Sequence, residues 1–257
     1  MNKTKIIVLA VAGLIATISS EAIYLMLNRG VAAQPQQQNS TASAVKSPSL
    51  FEYVQSNNTR EALRLLDGGA NPNTRQKNWD RDETVLDAAC TRSNIAIVSK
   101  LLQKGADPNV LAMDGKAALF NAIYGRSEHK SSDGFKIVQM LVSHGASVNC
   151  KDKESISPLT LASVYGHDDT VKLLIDHGAE VNWTSKFDSG AISNAASGGN
   201  TKVIRLLLAA GADPDKTGTT YDALINWARE CDQKDVVAVL EDAKAKRKAA
   251  GSGGLKK

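Results

Sequence analysis

Aromatic side chains are scarce in this chain of 257 residues, at 5%. So few Phe, Trp and Tyr argue against an immunoglobulin-like sandwich or a carbohydrate-gripping β-fold. Cysteine is scarcer still. Three cysteines cannot all pair, which excludes a disulfide scaffold. Catalytic signatures are missing too: there is no CxxC, no HExxH, no GxSxG and no phosphate loop. Gly251-Ser252-Gly253-Gly254 has no strand before it and reads as a linker. What is present is ordinary. Hydrophobic residues at 42% supply a core, and charged residues at 23% exclude a wholly disordered or fibrous chain.

Charge is unevenly spread. The net +4 belongs to the ends. In residues 1–48, Lys3, Lys5, Arg29 and Lys46 outnumber Glu21. Residues 244–257 hold Lys244, Lys246, Arg247, Lys248, Lys256 and Lys257 and no acid. The stretch between is net acidic, a poor footprint for nucleic acid.

Residues 1–30 read as a signal peptide or a transmembrane anchor. Lys3 and Lys5 precede an apolar run from Ile6 to Ile18, which Ser19, Ser20 and Glu21 interrupt before Ala22 to Leu27 resume it. On one reading Ile6–Ile18 is the core of a secretory signal, with Ser20-Glu21-Ala22 as its small-x-small cleavage site. On the other, Ile6–Leu27 rises about 33 Å as a helix and crosses a bilayer core of ~30 Å. Either leaves the basic tip in the cytosol and the rest exported, in a periplasm or anchored facing it. A start at Met26 would give a shorter cytosolic form. Residues 31–48, rich in Gln, Ser and Ala, form a polar linker.

Repetition is the strongest signal. Gly-Ala followed closely by Asn or Asp recurs at Gly69, Gly105, Gly145, Gly178 and Gly211, with gaps of 36, 40, 33 and 33. A leucine-rich helix end precedes each, such as Leu101-Leu102 and Leu207-Leu208. Nineteen residues before four of these glycines stands an apolar anchor: Leu50, Leu86, Leu159 and Ile192. In the third unit the anchor is Leu119, which implies a seven-residue insertion, read as a surface loop from Arg126 to Asp133. Each unit predicts two short helices. Ser157-Pro158-Leu159 is a helix start, and Gly178 ends the second helix in the left-handed conformation.

This pattern resembles the ankyrin repeat, with its T-P-L-H-x-A-A, G-H, V-x-L-L and G-A-D-x-N. Ser157-Pro158-Leu159-Thr160-Leu161-Ala162 to Asn182 matches it best. The resemblance covers residues 49–243, with a degenerate last unit from Asp222 to Ala243, and 244–257 as a basic C-terminal tail. It implies an all-α solenoid of five to six helix-turn-helix repeats joined by finger loops. No unit keeps the family's His after the anchor: Asp87, Phe120, Thr160, Ser193 and Ile225 stand there, and an inter-repeat hydrogen bond is expected to be lost.

The resemblance also implies recognition of another protein through the fingers and the exposed face of the first helices. Candidates are Trp79 and Arg81 in the first finger and Met113, Asp114 and Lys116 in the second. Lys151 and Lys153 follow in the third, Trp183, Lys186 and Phe187 in the fourth, and Tyr221 at the end of the fifth. Trp79 and Trp183 either meet a partner or fold back over a neighbouring finger as a clasp. Tyr124 and Tyr165 close consecutive first helices and either line the groove or stack on each other. His144 and His177 sit before Gly-Ala, where a zinc pair is one reading and a helix-end histidine the simpler one. Cys90 is expected buried and inert. The basic tail is expected to cap the solenoid or to touch anionic lipid. The expected function is a non-enzymatic binding module of a bacterial envelope, most concretely an immunity protein against a secreted toxic enzyme such as a type VI phospholipase effector. The alternative is a scaffold or chaperone-like assistant of an envelope enzyme. No cofactor is expected, membrane contact only through the N-terminal segment, and a monomer outside the complex.

Overall fold

A computed structural model describes residues 48–77, 82–129 and 132–252. The expected signal or anchor, residues 1–30, and all but the last residue of the expected linker, residues 31–48, lie outside them. Twelve helices form six antiparallel pairs among the described residues: α1 (Leu50–Gln55) with α2 (Thr59–Asp67), α3 (Val85–Thr91) with α4 (Ile95–Gln103), α5 (Ala118–His129) with α6 (Ser132–Ser143), α7 (Pro158–Val164) with α8 (Asp168–Asp176), α9 (Ala191–Ser197) with α10 (Thr201–Ala209), and α11 (Tyr221–Glu230) with α12 (Lys234–Ser252). A two-stranded antiparallel hairpin, β1 (Arg75–Lys77) and β2 (Asp82–Thr84), is the first finger, paired from Arg75 opposite Thr84 to Lys77 opposite Asp82.

Short polar side chains set where the first helices begin. Ser49 caps α1 and Thr84 caps α3, each in a reciprocal box with the residue three on, Glu52 and Asp87. Ser157 caps α7, where Pro158 supplies a preset φ and needs no N–H partner. Five second helices end at Gly69, Gly105, Gly145, Gly178 and Gly211, with φ from 82° to 89°. A Cβ at any of these five would touch nothing within 4 Å. Glycine is therefore needed there for its backbone conformation and not for space.

Gly125 is the opposite case. It follows Tyr124, which was expected to close its helix, yet it lies inside α5, and a Cβ there would meet the carbonyl oxygens of Cys90 and Thr91 at 2.7 Å. It lets α5 press against the end of α3. The expected insertion loop is correspondingly absent as a long loop: most of the extra residues lengthen α5 and α6 to 12 residues each. The last unit also begins earlier than expected. Thr220 caps α11 at Tyr221, and Asp232 takes the left-handed turn position seven residues after Ile225. Ser93, Gly166 and Gly199 stand at the same distance from Leu86, Leu159 and Ile192, so Ile225 is the anchor and Asn226 follows it.

First helices stack on first helices and second on second, in two layers. One continuous core runs between the layers, through Leu66, Leu86, Leu101, Leu119, Ile123, Leu141, Leu159, Leu174, Ile192 and Leu207, all fully buried. Full burial of such a side chain contributes about 1.5–3 kcal/mol, and each unit alone would leave half of this surface wet.

Polar ties cross each boundary as well. Asn149 Nδ2 donates to Gly178 O at 3.0 Å while its Oδ1 accepts from Glu180 N–H at 2.9 Å. Asn73, Asn109 and Asn182 repeat this double bond with Gly105 and Asp107, Gly145 and Ser147, and Gly211 and Asp213. The missing family histidine is also partly replaced. Buried Asp87 accepts from Thr84 N–H at 2.9 Å and Thr84 Oγ1 at 2.7 Å, and from Asn121 Nδ2 of the next unit at 3.2 Å. At this boundary the expected loss of an inter-repeat bond does not occur.

Two outcomes follow. Asn149→Ala removes two bonds at ~0.5–1.5 kcal/mol each and should lower unfolding free energy by about 1–3 kcal/mol in urea, with Asn149→Asp losing about half of that. Burial raises the Asp87 carboxyl above its usual value of 3.8, against the bonds from Thr84 and Asn121 that pull it down. The folded protein therefore holds this proton more tightly than the unfolded chain, so stability falls as pH rises from about 3.8 through the raised value. Asp87→Asn should flatten that slope in pH-dependent urea titrations.

Candidate protein-binding face

The fingers open from the N-terminal ends of the first helices and are tied to one another. The second finger is a tight turn in which Ala112 N–H donates to Lys116 O at 2.8 Å, with Gly115 at φ 81°. The third turns the same way, Asp152 N–H to Ile156 O at 3.1 Å, with Ser155 at φ 60°. The fourth does so through Ser185 and Ser189, with Asp188 at φ 52°. Lys153 N–H donates to Asp114 O at 3.0 Å, and Lys186 N–H to Glu154 O at 3.1 Å. Backbone bonds thus run from tip to tip. The first finger joins them through Arg75, whose Nη2 donates to Leu111 O at 2.6 Å and to Asp82 Oδ2 at 2.7 Å.

Trp183 takes the clasp position. Its Nε1 donates to Ser155 O at 2.7 Å in the preceding finger, and Lys151 Nζ lies 3.0 Å from the ring centroid. Lys151 is held there by Glu180 at 3.2 Å. The ring is therefore half-buried between two fingers, with a cation on its face. Lys116 pairs with Asp114 at 2.7 Å. Burial would push the Asp114 carboxyl up, but the hydrogen bonds from Lys116 outweigh it and hold the group below its usual value.

Charges in these fingers are largely spent on their neighbours, while apolar side chains are left outside. Met113 is 52% exposed, Leu111 50% and Phe187 55%. Lys153 and Lys186 are exposed as well. On the first helices, Val164 and Tyr165 are exposed at the end of α7 and Tyr124 is half-buried within α5. Tyr165 stacks on His167, ring centroids 5.7 Å apart. Tyr124 does not close its helix as expected, because α5 continues to His129. Tyr221 is not at the surface: it is 6% exposed at the start of α11. Trp79 and Arg81 lie outside the described residues. Val164 was missed by the sequence reading, although its place three residues after half-buried Leu161 puts both on one helical face.

The remaining chemistry-bearing residues are structural. His144 and His177 each set Nδ1 against the carbonyl four residues back, at 2.8 Å from Met140 O and 2.9 Å from Leu173 O. Among the described residues no group of three His, Cys, Asp or Glu could hold a metal ion. All three cysteines are free thiols. Burial pushes Cys90 far above the usual thiol range and Cys150 up to about 11, so neither offers a thiolate at neutral pH. No helix among the described residues is long and apolar enough to cross a membrane.

A family model described as ankyrin repeats (3 copies) matches in overlapping stretches, residues 50–152, 127–218 and 159–249. The chain belongs to the ankyrin-repeat family. An ankyrin repeat protein of Acanthamoeba polyphaga mimivirus is 29% identical over 93 residues, 36% of this chain and 15% of its own length. The human SH3 and multiple ankyrin repeat domains protein 1 is 32% identical over 119 residues, 46% of this chain and 5% of that protein. An ankyrin repeat-containing protein of Treponema pallidum is 30% identical over 119 residues, 46% of this chain and 37% of its own length. This chain therefore spans well under half of these relatives, and the likeness is one of repeats. Ankyrin repeats are protein–protein interaction modules and generally not enzymes, and the ankyrin fingers here present apolar tips on a rigid, bonded support.

The clasp sets an expected outcome. Trp183→Phe keeps the ring beneath Lys151 and loses the bond to Ser155 O, so thermal or urea unfolding should show a loss of about 1 kcal/mol. Trp183→Ala should lose about 2 kcal/mol or more through the vacated space between fingers.

Proposed function

We propose that this chain is a non-enzymatic binding protein of a bacterial envelope, most concretely an immunity or inhibitor protein that neutralises a secreted toxic enzyme such as a type VI phospholipase effector. The observation that carries the binding reading is the exposure of Leu111, Met113 and Phe187 on fingers whose neighbouring charges are paired among themselves. Such side chains gain most by leaving water against a partner's surface, and the tip-to-tip bonds mean little ordering is lost on docking. The exported location rests on the lysine-flanked apolar run of residues 6–27, with the envelope as the compartment on its far side. The inhibitor role rests on a recognition surface in a sequence that carries no catalytic motif. A rigid face of this kind neutralises an enzyme by covering it.

The full chain, tagged and recovered from envelope fractions, should bring down one stoichiometric hydrolase whose activity falls in the complex. Co-purification without inhibition would favour the scaffold role instead. Cells lacking the protein yet fully resistant to every neighbouring effector would overturn the immunity role. Met113→Ala and Phe187→Ala should each weaken the complex by ~1–2 kcal/mol in calorimetry, with fold stability changed by under about 0.5 kcal/mol.

A further inference from the structure

The fifth finger breaks the pattern of the other four. At Asn73, Asn109, Asn149 and Asn182 an amide donates to the next unit's glycine carbonyl. The equivalent residue in the fifth finger is Asp215, four residues after Gly211, and no further Gly-Ala follows. A carboxylate has no N–H to donate, so this position calls for a cation where the others call for a carbonyl.

Arg247 reaches it. Its Nη1 lies 3.0 Å from Asp213 Oδ1 and also pairs with Asp215 Oδ2. The guanidinium carbon lies 5.7 Å from the centre of the Tyr221 ring. Asp213 is fixed in advance: its Oδ1 accepts from Asp215 N–H at 3.1 Å, and its own N–H donates to Asn182 Oδ1 at 2.8 Å. The arginine arrives because α12 does not stop where its equivalents do. Helices α2, α4, α8 and α10 have 9 residues each, whereas α12 has 19 and meets no glycine before Gly251. The same extension pairs Lys244 with Asp222 and Lys246 with Asp242. Lys248 has no ion pair among the described residues.

We propose that Asp213, Asp215 and Tyr221 form a guanidinium site, that Arg247 is its resident ligand in cis, and that this occupancy closes the fifth finger onto α12, where the earlier fingers meet a glycine-ended turn. Two carboxylates beside an aromatic ring suit a planar, weakly hydrated cation and serve an ammonium less well. Residues 244–252 thus continue the array as part of α12, with Lys244 and Lys246 paired inside it. Emptied of Arg247, the site becomes a receptor for an external guanidinium, such as an arginine side chain.

The test uses the full chain and its Arg247→Ala, Arg247→Lys and Lys248→Ala variants. In Arg247→Ala, amides of residues 213–224 should exchange about tenfold faster and Tm should fall by about 2–4 °C. Lys248→Ala should match the parent, and Arg247→Lys should fall between. Methylguanidinium at about 0.1 M should restore part of the protection in Arg247→Ala, while methylammonium at equal ionic strength should not. Equal behaviour of Arg247→Ala and Lys248→Ala would overturn the closure. Absent rescue, or equal rescue by both cations, would overturn the guanidinium site.

Discussion

One asparagine at each of four boundaries does what no helix can do for itself: it binds the backbone of the next unit with both ends of its amide. Each donor and acceptor left over at a glycine-ended helix terminus would otherwise wait for water. Because the amide meets a backbone carbonyl and a backbone N–H, the bond fixes orientation as well as distance. Everything on the finger side inherits that orientation. The tight turns at Gly115, Ser155 and Asp188 fall into step, their tips bond to one another, and apolar side chains at the tips are presented at fixed spacing. The buried leucines make the array cohere, but leucine against leucine tolerates sliding that a two-ended hydrogen bond does not.

The units were legible because glycine at a left-handed helix end is irreplaceable and therefore visible at each turn of the repeat. The partners of Asn149 were not, since they lie 29 and 31 residues away and are backbone atoms that carry no sequence signature. Gly125 shows how punctuation misleads. The same residue type marks a conformation at Gly145 and a lack of room at Gly125, and only the neighbouring carbonyls of α3 distinguish the two. Tyr221 was misplaced for a related reason. Thr220, a cap residue, draws it into the first turn of a helix and out of the finger. At Trp183 both readings were open, and its ring is held by the backbone carbonyl of Ser155, 28 residues earlier.

The electrostatics follow the same economy of neighbours. Arg75, Lys116, Lys151 and Arg247 all find carboxylates within the chain, most of them close in the fingers. These pairs are partly exposed and individually weak, worth about 0–1 kcal/mol. Their larger effect is to remove long-range field from the recognition side, so that contact depends on shape and apolar fit more than on steering.

The lengthened third unit divides the array into regions with different evolutionary freedom. Copying or deleting one full period of the fourth unit with its finger, Ser157 to Ser189, would return an asparagine facing a Gly-Ala and leave each rung whole. The third unit has no such licence, because Gly125 is fitted to the end of α3 and its long helices to each other. Gene duplication can therefore lengthen this protein toward its C-terminal half while the boundary between α3 and α5 stays fixed, so related chains of different length should differ in the number of plain units after the third.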